Sequence, residues 1–145
     1  MDLKQLTAFE EIRLVKARYC RFIDTQQWES FARLFAHDAS LTFYEVGGSV
    51  LHRFTDLERF LASTIETLSN ARSIHQVHNS EIQLSTAGSA SAIWSMEDRI
   101  SYTDGVPRSF RRLHGFGHYY ETLQFTNGKW LIKTLELKRT FLNIE

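Results

Sequence analysis

Arg72-Ser-Ile-His75-Gln-Val-His78-Asn-Ser-Glu-Ile-Gln-Leu84, a short Ser-Thr-Ala-Gly turn, and Ser89-Ala-Ser-Ala-Ile-Trp94-Ser-Met96-Glu-Asp98-Arg-Ile-Ser101 read together as two antiparallel strands. Strand alternation puts Trp94, Met96, Asp98 and Ile100 on one face and Glu97 and Arg99 on the other. A carboxylate on an apolar face must be paired, protonated or functional, because burying it alone is costly. A His and an Asp on neighbouring strands can share one pocket and one proton. The stretch therefore nominates His75 and Asp98 as half of an acid–base site; a structural partnership of Asp98 with an Arg or His is the competing reading.

Upstream, Leu6, Phe9, Ile12, Val15, Tyr19 and Ile23 recur at three- and four-residue steps, while Lys4, Glu10, Glu11, Arg13 and Lys16 take other positions. This predicts an amphipathic helix with Tyr19 facing inward. Asp24 falls at its carboxyl end, where a negative charge opposes the helix dipole. A functional role, or a cap for the next helix, would each account for it. Trp28, Phe31, Leu34 and Phe35 predict a second, shorter helix closed by His37-Asp-Ala-Ser. Leu41–Tyr44 and Val50–Phe54 form a short hairpin around Gly47-Gly48. Thr55-Asp-Leu-Glu58 fits a capping box opening a third helix over Asp56–Ser69. Downstream, Pro107 marks a loop, Arg112–Phe125 a strand, Asn127-Gly128 a tight turn and Trp130–Asn143 a returning strand. Helices followed by long antiparallel strands indicate an α+β domain over residues 1–145, its sheet curving around the helices into a cone with an open mouth.

Composition excludes several classes of function. Lys plus Arg and Asp plus Glu number 17 each, so bulk charge recruits neither nucleic acid nor an anionic membrane. No segment reaches the roughly 20 apolar residues needed to span a bilayer, and the amino end shows no leader pattern, so a cytoplasmic protein is expected. Cys20 is the only cysteine, which rules out an intrachain disulfide and a cysteine zinc cage. Eleven Phe, five Tyr and three Trp exceed what a minimal core needs. They either line a cavity for a flat organic ligand or fill a core and an oligomer interface.

A metal site fails on geometry. His75 and His78, three apart on a strand, face opposite ways, so at most one enters the pocket. His114 and His118 share a face but stand about 13 Å apart at roughly 3.3 Å per residue, too far for two short bonds to one zinc. A nucleophile elbow and a phosphate-binding glycine loop are also missing from the sequence; Gly115-Phe-Gly117 lies inside a strand.

The order of Ala17-Arg-Tyr19…Asp24, Trp28…Phe31…Leu34-Phe35, His75-Gln-Val-His78-Asn79-Ser-Glu-Ile, Trp94-Ser-Met-Glu-Asp98-Arg and Gly115-Phe-Gly117-His118-Tyr-Tyr-Glu121 before Asn127-Gly-Lys-Trp130 resembles the SnoaL-like branch of the nuclear-transport-factor-2-like superfamily. The resemblance covers nearly the whole chain and runs nearest to the bile-acid 7α-dehydratases and, more distantly, the scytalone dehydratases. It implies a cone-shaped barrel of strongly bent antiparallel sheet wrapped around three N-terminal helices. Position by position it implies catalytic roles for Tyr19, Asp24, His75 and Asp98, with Asp98 orienting His75 and Asp24 assisting a departing hydroxyl. His78, Trp94, Met96, Phe116 and His118 are expected to contact substrate. The implied activity is a dehydratase acting without metal or cofactor on a hydrophobic polycyclic or aromatic hydroxy-carbonyl compound. An isomerase, a cyclase or a non-catalytic ligand-binding module on the same fold are the alternatives. Ser80 stands where the family commonly has Pro. Relatives associate through the outer sheet face, so a homo-oligomer, trimer or dimer, is expected, with Trp130, Leu131, Phe141 and Leu142 available for it.

Overall fold

The first helix, α1 (Leu3–Asp24), begins where the Asp2 carboxylate accepts the Gln5 amide while the Gln5 side chain accepts the Asp2 amide, satisfying two free donors at once. Its buried stripe is Ile12, Val15, Lys16, Tyr19, Cys20 and Ile23. Lys16 thus lies on the inner face, not the polar one its charge suggested. In the computed structural model, which describes residues 1–86 and 88–145, α1 is followed by α2 (Trp28–Ala32), β1 (Phe35–Tyr44), β2 (Val50–Phe54), α3 (Leu57–Leu68), β3 (Ala71–Ser85), β4 (Ser89–Tyr102), β5 (Arg112–Thr126) and β6 (Lys129–Ile144). The turn expected over residues 85–88 includes Ala87, which lies outside the described residues.

The six strands form one strongly curved sheet in the order β2-β1-β6-β5-β4-β3. The pairings are antiparallel except β1 with β6, which is parallel. This α+β cone agrees with the sequence reading, and α3 follows the first hairpin as its Asp56–Ser69 placement requires. Three local expectations change. The second helix stops at Ala32, and Phe35 through Tyr44 become a strand because Phe35 and Ser40–Tyr44 pair with β6. The cap of α3 is Asp56, whose carboxylate accepts the Glu58 and Arg59 amides, so Thr55 does not fill that role. Of the four residues reserved for an oligomer face, Trp130 is buried within the chain, whereas Phe141 is 55% exposed.

The helices lie on the inner face, where Tyr19, Phe31, Phe35 and Phe60 pack in tilted and edge-to-face pairs with centroids 5.1–6.2 Å apart. Two bulges re-aim β6: the pairing skips Lys133 between Ile132 and Thr134, and skips Thr140 between Arg139 and Phe141. Each extra residue resets which side chains point inward. At the second bulge Arg139 stands opposite Gly117 on the inner face, while Phe141 stands opposite Phe116 on the outer.

Candidate active site

Inside the cone lies a cavity of about 240 Å³ lined by Tyr19 from α1, His75 from β3, Asp98 from β4, Tyr119 from β5 and Arg139 from β6, together with Tyr44 from β1, His52 from β2 and the hydroxyls of Ser63, Thr64 and Thr67 from α3. Its remaining wall is largely apolar, including Phe43, Phe54, Phe60 and Leu137.

Asp24 ends α1 directly against β3. Thr25 and Gln26 turn the chain there, Gln26 with φ of 57°, and the Gln26 amide donates to the Leu68 carbonyl at 2.9 Å, tying the end of α1 to the end of α3. Both oxygens of the Asp24 carboxylate accept from β3. Its Oδ2 accepts the His75 backbone N–H at 2.7 Å, and its Oδ1 accepts the Ser73 hydroxyl at 2.9 Å and His75 Nδ1 at 2.7 Å. These three donors offset its unfavourable place at a helix carboxyl end. Because a carboxylate only accepts, Nδ1 carries the ring proton, and in the neutral imidazole Nε2 holds the lone pair. The His75 side chain is 7% exposed.

His75 and Asp98 are cross-strand partners, as the two-strand reading requires, yet they do not bond to each other. Asp98, 2% exposed, accepts both Nη atoms of Arg139 at 2.8 Å each. The carboxylate in contact with the His75 ring is therefore Asp24, not Asp98. The geometry also separates the charges: a neutralised carboxylate–guanidinium fork faces a histidine that has its own carboxylate. Burial works against the Arg139 charge, but the hydrogen bonds and charge of Asp98 outweigh it and raise the pKa above the ordinary guanidinium value.

Gly115 and Gly117 make this fork possible. A Cβ at Gly115 would sit 2.0 Å from Arg139 Nη1, and one at Gly117 would sit 2.3 Å from the Lys138 carbonyl oxygen. Two glycines at alternate strand positions mark a close approach, a signal that pointed to a partner over β5 although the sequence did not name Arg139.

Tyr19 and Tyr119 are buried side by side, ring centroids 5.7 Å apart. Burial first and the Glu121 charge second push the Tyr19 phenol far above the ordinary tyrosine range; burial does the same for Tyr119. Both stay protonated, as donors. Behind them Lys16 is ion-paired with Glu121, both 1% exposed, and the ammonium lies 3.8 Å from the Tyr19 ring centre and 3.7 Å from that of Tyr119. Glu121 also accepts the Trp94 indole N–H at 3.2 Å.

None of the five residues expected to contact substrate lines this cavity. His78 points outward because it has opposite parity to His75 and precedes the bulge at Asn79, whose φ is 47°. Phe116 and His118 lie on the outer face of β5 by the same alternation. Trp94 and Met96 do point inward, but they are packed into the core.

The SnoaL-like domain profile matches residues 4–136. The Gibberella zeae protein named probable cyclase FGR4 is 27% identical over 139 residues, covering 90% of this chain and 89% of its own. The fold is similar to that of a presumed scytalone dehydratase from Novosphingobium aromaticivorans, with a TM-score of 0.83, 19% identity and coverage of 97% of this chain and 89% of that one. It is also similar to the type 3 hexachlorocyclohexane dehydrochlorinase LinA from Novosphingobium barchaimii, with a TM-score of 0.79, 15% identity and coverage of 100% and 94%.

Proposed function

Starting from a chain that belongs to the SnoaL-like family, we propose that it is an acid–base lyase that removes water from a small hydrophobic hydroxy-carbonyl compound held in the cone. The observation that carries this reading is the Asp24–His75 pair, which leaves Nε2 as a base on the wall of an apolar cavity beside two protonated phenols. Nε2 takes the proton from the carbon next to the substrate carbonyl, and the C–H electron pair becomes the new C=C bond as the C–O bond breaks. The hydroxyl leaves as water, carrying the proton back from the imidazolium. Tyr19, and Tyr119 beside it, donate to the carbonyl oxygen as it gains negative charge. The carbonyl itself stabilises the carbanion, so the scheme calls for no cofactor.

The cavity volume narrows the substrate class. About 240 Å³ at an interior packing density of roughly 0.74 admits ~180 Å³ of ligand. This supports a compound of one or two fused rings over a four-ring one. A second reading draws on the cyclase relative: the same enolate attacks another carbonyl, and no water is lost. Mass spectrometry of the product separates them, since dehydration lowers the mass by one water and cyclisation by aldol addition leaves it unchanged. His75→Ala should lower turnover by about 10²–10⁴-fold; full turnover in that variant would sink both readings. We further propose self-association through the outer sheet face, where Phe116 and Phe141 are exposed. A monomeric mass in light scattering at micromolar concentration would count against it.

A further inference from the structure

We propose that a second groove, sharing no lining residue with the His75 cavity, binds an organic anion that carries a carboxylate or phosphate head on an apolar body. The groove encloses about 580 Å³ between α1, the segment after α2 and the start of β6. Its walls bring together four cations in a chain whose net charge is zero: Arg18 and Arg21, one helical turn apart on α1, with Arg33 and Lys129. Arg18, Arg21 and Lys129 have no ion-pair partner among the described residues, and Arg33 reaches only the exposed Glu29 at 3.9 Å. Glu11 is the one carboxylate on the wall.

The lining points to the ligand's body. Leu14, Phe22 and Trp130 give the groove an apolar lining, and the Arg21 guanidinium lies 4.6 Å from the Phe22 ring centre, held by stacking and free of any carboxylate. Trp130 is nine-tenths buried, yet its indole N–H is the one buried side-chain polar atom among the described residues without a partner. Buried donors are nearly always satisfied. An inorganic anion would use the cations and leave the aromatic lining empty, and a neutral apolar molecule would do the reverse, so the combination selects an amphipathic anion.

Isothermal titration of the whole chain with decanoate, with phenyl phosphate and with inorganic phosphate tests this. The expected result is saturable binding of decanoate or phenyl phosphate at least about tenfold tighter than inorganic phosphate, weakening as salt is raised; which of the two binds better identifies the head group. Arg18→Ala with Arg21→Ala should weaken binding by about tenfold or more. Circular dichroism confirms that the variant folds. His75→Ala should leave this affinity unchanged, which separates the groove from the cavity reading. No saturation at millimolar concentration overturns the proposal, as does an affinity indifferent to both arginines. Sedimentation showing that the arginine pair instead holds a second copy of the chain over the groove also overturns it.

Discussion

Replacing Gly115 by Ala probes the Asp98–Arg139 fork directly. The new Cβ would lie 2.0 Å from Arg139 Nη1 and 2.8 Å from Asp98 Oδ1, against an ordinary contact of about 3.5 Å, so the guanidinium must retreat by roughly 1.5 Å. A free guanidinium, at the end of a flexible side chain, would swing away at little cost. This one is held by two 2.8 Å bonds to a buried carboxylate, and a retreat of that size breaks at least one of them. Complete loss of a partner to a buried charge costs about 3–5 kcal/mol; displacement should therefore cost ~2–3 kcal/mol. At about 3 °C per kcal/mol for a chain of this size, Tm falls by roughly 6–9 °C. Urea denaturation should show a lower midpoint at unchanged slope. When the same Gly115→Ala change is made in an Asp98→Ala, Arg139→Ala background, its cost should drop below about 1 kcal/mol. Gly117→Ala is the contrasting case. Its Cβ meets the Lys138 carbonyl oxygen at 2.3 Å and Arg139 Cα at 2.7 Å; these are backbone atoms, so its cost should persist in both backgrounds. Equal costs for Gly115→Ala in the two backgrounds would refute the argument that the fork fixes the guanidinium.

Asp24→Asn should cost about 10³–10⁴-fold in turnover, because an amide N–H facing Nδ1 forces the ring proton onto Nε2 and removes the base; the backbone and Ser73 contacts keep stability nearly unchanged, which denaturation checks. Lys16→Met strands Glu121 at 1% exposure and should cost about 3–5 kcal/mol in urea denaturation, with most of it recovered by adding Glu121→Gln, which still accepts from Trp94. Stability should also fall in alkali. Cys20 is raised from 9.0 to about 11 by burial, and Tyr19 and Tyr119 are raised above 10.0 by burial. A group raised on folding contributes its stability fully below the unfolded pKa and loses it as pH rises, so the loss begins near pH 9 through Cys20 and steepens above pH 10 through the tyrosines. Cys20→Ala should abolish the portion between pH 9 and 10, and a stability profile flat to pH 11 would contradict the burial of all three groups.

The strands were legible because β3 as far as His78 and β4 as far as Asp98 alternate, which put His75 and Asp98 on neighbouring strands where the register then pairs them. Their partners were not legible. Alternation fixes a face but not which of several charges on that face come within 3 Å, and Asp24 reaches His75 only because the turn at Thr25–Gln26 sets the end of α1 against Ser73. Arg139 was hidden by the bulge at Thr140, which no turn residue announces in the sequence; the glycines opposite were its only trace. His118 and Phe116 were expected in the pocket, yet they alternate with the inward Gly115 and Gly117 and so face outside. Lys16 was set aside as polar, although its spacing from Ile12 and Tyr19 puts it on the apolar stripe, where only a buried acid such as Glu121 could keep it.

Strand β6 follows every other strand in sequence, yet it lies in the interior of the sheet, between β1 and β5. Phe35 pairs with Ile132, about a hundred positions later. On a ribosome, β1 and β5 would each expose an unpaired edge until β6 emerged, the arrangement most prone to wrong pairing. Closing so long a loop also makes the parallel pairing entropically late. The guanidinium that completes the cavity wall travels on that same strand, so the nascent protein acquires its sheet and its binding chamber in one event.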